Sequence, residues 1–174
     1  IFALLGAGFM MMELAVIQRL TPLLGHPTAA LAVGLFAALV SSGLGSLVAG
    51  RVTPARMTRV NAIRLAGVVA AALGCAFVGL APLVMARLAL LPLTARIVTA
   101  AALVFPLFFC LGVPFALGLQ IVQTGDGPSM VSLAWGINGL ASVVGSVGGV
   151  AVAMLWHFDG LMIAASALYS AVAL

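Results

Sequence analysis

A polytopic, all-α bundle of about six transmembrane helices is the fold this sequence predicts, and three observations predict it. Of the 174 residues, 65% are hydrophobic and 6% charged, whereas soluble domains carry about a quarter charged residues. Mean hydropathy is +1.36. Uncharged stretches at 27–50, 65–86, 97–125 and 127–158 each reach the roughly 20 apolar residues that cross a bilayer. A single small core in water has no room for so much apolar side chain, and disorder needs the opposite composition. The first partner is therefore the lipid bilayer.

The six spans are expected at 1–20, 29–49, 62–81, 97–121, 129–156 and 160–174. The first holds Glu13 and is still apolar enough to insert. The last is short, and the chain begins at Ile1 and ends at Leu174 inside apolar runs, so 1–174 reads as one membrane domain cut from a longer protein. Gly25, His26 and Pro27 separate the first two helices. Arg51, Pro54, Arg56 and Arg59 separate the next two, and Gly125, Asp126, Gly127 and Pro128 make a turn before the fifth. The piece from Pro82 to Arg96, interrupted by Arg87 and Pro92, is expected to lie along the interface or to dip in and return.

The net charge of +4 comes from seven arginines against Glu13, Asp126 and Asp159. Arginines spread along a membrane chain are not the basic stripe that nucleic acid requires, so no nucleic-acid partner is expected. Arg51, Arg56, Arg59 and Arg64 cluster at one end, and Arg19, Arg87 and Arg96 fall at the other. The tighter cluster marks the cytoplasmic side, which places Ile1, the turn at Asp126 and the end beyond Leu174 there too. Cys75 and Cys110 sit in apolar runs, where cysteine acts as a small hydrophobe. No metal site or cofactor is expected.

Glu13 is the most informative residue, because an ionisable group inside a span is costly and faces the bundle interior or a water-filled cavity. It is either a proton or cation site or a hydrogen-bonded glutamate that fixes packing. Asn138 lies about nine residues into helix five, at the depth expected of Glu13, so the two are candidates to bond across helices; a packing amide is the plainer reading. Gln18 and Arg19 complete the candidate intramembrane polar set, with Arg19 expected to snorkel to headgroups. Pro106, Gly112 and Pro114 are helix-break candidates, and a simple kink is the preferred reading.

Ala141, Gly145 and Gly149 recur every four residues on helix five, and Ser42 and Ser46 do the same on helix two, as strips where another backbone approaches closely. His157 and Asp159 bracket the outer end of helix five, an interfacial turn rather than a metal pair. Trp135, Trp156 and Tyr169 read as interface anchors or packing. The pairs Gly6/Gly8 and Gly43/Gly45 follow no strand and are not nucleotide loops. No catalytic set of soluble type is present.

Several segments form a series: Phe2 to Gly6, Phe9-Met10 to Glu13, Ile17-Gln18-Arg19, Leu24 to Thr28, Ser42 to Ser46, Gly112 to Phe115, Leu117 to Leu119, and Ala134-Trp135 through Asn138-Gly139 to Ser146. This series resembles the membrane region of bacterial spermidine synthase-like multi-pass proteins. The resemblance implies a location in the bacterial inner membrane. It also implies a bundle anchoring or serving a cytoplasmic, Rossmann-like aminopropyltransferase domain, the transferase that would move an aminopropyl group from decarboxylated S-adenosylmethionine to putrescine. That domain and its catalytic residues lie outside this chain, upstream of Ile1. In its six helices and in a glycine-to-arginine loop from Gly43 to Arg51, the sequence is also similar to half of a major facilitator transporter, without the acidic residue usual in that loop.

Overall fold

In the bilayer core no water is available to peptide groups, so each N–H and C=O must be closed within its own helix or barrel. The chain takes the helical solution. The structure, a computed structural model, describes residues 1–52, 56–125 and 128–173. Pro54, Asp126, Gly127 and Leu174, and the side chains of Arg56 and Pro128, lie outside the described residues. Five helices follow in order: α1 (Phe2–Leu24), α2 (Pro27–Val52), α3 (Arg56–Leu88), α4 (Leu93–Gly125) and α5 (Pro128–Ala171). Each is long and apolar enough to cross a membrane, and the chain is a multi-pass membrane protein.

The helix ends follow local chemistry. Gly25 stops α1 in the left-handed conformation, φ 78°, with its N–H donating to the Thr21 carbonyl, and Pro27 opens α2 at the position where a missing N–H costs nothing. Between α3 and α4 the chain turns within 89–92. There Arg96 Nε donates to the Leu91 carbonyl at 2.7 Å and Nη1 to the Leu23 carbonyl of α1 at 3.3 Å. A cation is thus set against the negative end of α1.

Helix α5 spans 44 residues, about 66 Å if it were straight, twice the thickness of the hydrocarbon core. It is not straight. Trp156 (φ −126°, ψ 16°) and His157 (φ 59°, ψ −178°) leave helical geometry, and two arms result, 128–155 and 158–171. Contacts show that the chain reverses there. On the first arm, Gly145 lies against Ala7, and Gly149 against Met11 and Leu14 of α1, so the two helices run in parallel. On the second arm, Tyr169 lies beside Gly8, and Asp159 pairs with Arg19, so that arm runs back down α1. Among the described residues six helical arms therefore alternate in direction. The antiparallel α1 and α4 are registered by edge-to-face ring pairs, Phe2 with Phe115 and Phe9 with Phe108.

Two sequence expectations change. Helix α3 continues through Pro82 to Leu88, so the segment 82–96 is helix, short turn and helix rather than an interfacial piece. A proline deprives only one carbonyl of its donor, and membrane helices accommodate that. Residues Gly43 to Arg51 lie within α2 and form no loop.

The core runs along α1, whose Met12, Ala15, Val16 and Leu20 are fully buried, and joins Phe108 and Leu111 of α4 to Leu161, Met162 and Tyr169 of the second arm. The backbone of α2 approaches that of α4 at two glycines. A Cβ on Gly45 would collide with the Phe109 carbonyl, and one on Gly112 with the Ser42 carbonyl. Between them Ser46 Oγ donates to the Gly112 carbonyl at 2.9 Å.

Candidate functional site

Serine and asparagine residues four apart on one helix share a face, and two such pairs converge in the bundle. Ser42 and Ser46 of α2 and Asn138 and Ser142 of the first arm of α5 line one cavity of about 190 Å³. Leu5, Gly6 and Phe9 of α1, Leu111, Gly112 and Phe115 of α4, and Tyr169 of the second arm complete its wall. Among the described residues α2 and α5 make no contact, and the chamber fills the space between them.

Glycines make room for it. A Cβ on Gly6 would meet the Asn138 backbone carbonyl, and it would lie 3.0 Å from both Asn138 Oδ1 and Ser142 Oγ. A Cβ on Gly8 would lie 2.9 Å from the Tyr169 ring. Each serine hydroxyl donates to a backbone carbonyl: Ser42 to Ala38 at 2.6 Å, Ser142 to Asn138 at 2.8 Å, and Ser46 to Gly112 across helices. Their protons are committed and their lone pairs remain. Phe115 is held edge-to-face by Trp135, ring centroids 4.8 Å apart, and by Phe2.

The four residues of the candidate polar set are not brought together. Glu13 is interior, 6% exposed. Its neighbours one turn either way point at the other helices, Phe9 at Phe108 of α4 and Ile17 at Gly34 of α2. Asn138 sits beside Gly6, seven residues below Glu13, about 10 Å along the axis. The two do not meet, because Asn138 is level with Gly6 and not with Glu13, an offset that counting from each helix start does not reveal. Gln18 is exposed and borders a separate hollow with Met154 and Phe158. Arg19 forms an ion pair with Asp159 beyond the α5 break, so its charge serves the helical hairpin and not headgroups alone.

Of the helix-break candidates, Pro106 and Pro114 lie within a continuous α4, and Gly112 is a packing and chamber residue. The break falls instead at Trp156 and His157 of α5. Tyr169 is the residue that sequence reasoning missed. It is 1% exposed, and a phenol so deep in an apolar helix carries a hydroxyl that needs a partner, a signal stronger than its reading as an anchor. Larger hollows exist, one of about 350 Å³ beside Phe36, Val40 and Phe105. Those residues are apolar and exposed on the outside of the bundle, whereas the smaller chamber has several polar side chains converging on it. Among the described residues no three His, Cys, Asp or Glu side chains are grouped as a metal site.

No family model, curated protein or solved structure matches this chain. The chemistry of the chamber carries the functional reading.

Proposed function

We propose that this bundle receives a small polar solute inside the bilayer and is the membrane part of a spermidine synthase-like protein of the bacterial inner membrane, serving a soluble aminopropyltransferase-like domain joined on the Ile1 side. The observation that supports it is the convergence of Ser42, Ser46, Asn138, Ser142 and Tyr169 on one chamber. Polar groups inside a membrane are costly unless paired or hydrated, and a mere anchor has no use for such a space. The alternating helix directions put the α1 start, the α2 end with Arg51, the α3 start and the end of the second arm on one side, which suits a soluble domain docked there.

The chamber reading is tested with Ser142→Cys, in a background where Cys75 and Cys110 are alanine, in proteoliposomes treated with a small water-soluble methanethiosulfonate. Labelling at position 142 at least tenfold faster than at Val147→Cys, which faces lipid, is the expected result. Equal, slow labelling at both positions overturns it.

A second reading, half of a secondary transporter, is favoured by the burial of Glu13. It requires that Glu13→Gln abolish the pH dependence of solute uptake into vesicles. Uptake that tracks pH identically in both proteins removes Glu13 from that role.

A further inference from the structure

The chamber's lining is unbalanced in hydrogen-bonding capacity, and the imbalance selects a ligand. Three serine protons are already donated to backbone carbonyls, so Ser42, Ser46 and Ser142 present acceptor lone pairs. Asn138 Oδ1 and the Tyr169 oxygen add two more. Of the lining side chains, the Asn138 amide and the Tyr169 hydroxyl are the ones with protons not donated to a backbone carbonyl. No arginine or histidine lines it, which leaves an anion without a counter-charge.

Three rings, Phe9, Phe115 and Tyr169, border the same space, and ring faces attract cations. Leu5, Phe9 and Glu13 follow each other at intervals of four on α1, so the interior carboxyl group lies one turn beyond the chamber on the same stripe. A hard inorganic cation needs six or so oxygens closed tightly around it, and a half-apolar space of about 190 Å³ is too wide for that. A primary ammonium on a short alkyl chain fits on every count: three N–H donors meet the surplus acceptors, the charge meets the rings, and the tail meets Leu5 and Leu111.

We infer that the chamber is a binding site for a small alkylammonium ion. The inference rests on the chamber being open to solutes, as proposed above, and adds the class of solute. Radiolabelled n-butylammonium is added to the full chain in nanodiscs, and bound label is measured by scintillation proximity with n-butanol and sodium chloride as competitors. Saturable binding is expected, undisplaced by a tenfold excess of either competitor. Asn138→Leu weakens it at least tenfold and Phe115→Leu severalfold. Ser146→Ala, whose hydroxyl donates to Val143 away from the chamber, leaves it unchanged.

Should Asn138→Leu not fold, Ser42→Ala, which deletes one acceptor, is expected to weaken binding about threefold. Absence of saturable binding overturns the inference, as does equal displacement by n-butanol or by sodium, or binding indifferent to the chamber variants. Any of these with position 142 still labelled refutes the ammonium alone, whereas a closed position 142 refutes the chamber as well.

Discussion

Gly112 illustrates how one residue's role depends on what faces it. Flanked by Pro106 and Pro114, it reads in the sequence as a helix-break candidate with a simple kink preferred, and it lies in a continuous α4 where an added Cβ would run into the Ser42 carbonyl. Backbone cannot yield as a flexible side chain can. Gly112→Ala is therefore expected to push α2 from α4 and destabilise the bundle by about 1–3 kcal/mol, measured by reversible denaturation in detergent; a change under about 0.5 kcal/mol contradicts the packing. The cross-helix bond from Ser46 is worth only about 0.6 kcal/mol, so close packing is the larger contribution there. The polar residues divide by surroundings in the same way. Asn138 lines the chamber, Arg19 pairs with Asp159, and Gln18 faces outward. Adjacency or shared depth in sequence assigns none of these roles.

At the scale of the element, α5 is decided by its break. His157 holds φ 59° with ψ −178°, a region essentially reserved for glycine and costing about 1–3 kcal/mol in other residues. The surrounding geometry enforces it. Gly160 leaves no room for a Cβ beside Trp156, and the Arg19–Asp159 pair ties the start of the second arm to α1. His157→Gly is thus expected to stabilise the protein by about 1 kcal/mol and to leave the fold intact, read as a raised unfolding midpoint in detergent. A lowered midpoint shows that the imidazole itself holds the hairpin. The break was partly legible: His157 and Asp159 mark the outer end of the fifth span by their polarity. Its backbone conformation was not, because no glycine or proline stands at 156–157 to announce it.

On the scale of the whole molecule, the six alternating arms give α1 a central place, flanked by α2, α4 and both arms of α5. That arrangement explains why α1 has the most polar interior residue and also the glycines, Gly6 and Gly8, that admit neighbours. The strips on α2 and α5 that read as packing faces acquire a second use. Ser42 and Ser46 of the α2 strip, and Ser142 next to Ala141 of the α5 strip, lie where α2 and α5 approach without touching and line the chamber. Sequence periodicity identifies such a face but cannot say whether backbone or empty space lies opposite. The sequence flags the Tyr169 hydroxyl but not its place in the wall, since its contact with Gly8 spans nearly the whole chain.

What these 174 residues determine unaided is the solvent they fold in and the class of structure that solvent allows. Hydrocarbon forbids an unpaired peptide group, so long uncharged stretches become helices whatever their neighbours. The register of one helix on another belongs to the tertiary structure alone. It is set by glycine contacts, ring pairs and the Arg19–Asp159 ion pair between residues far apart in sequence, and a few residues of offset move a side chain by about 10 Å. That distance separates Glu13 from Asn138, and the same register sets Asn138 beside Gly6 on the chamber wall instead.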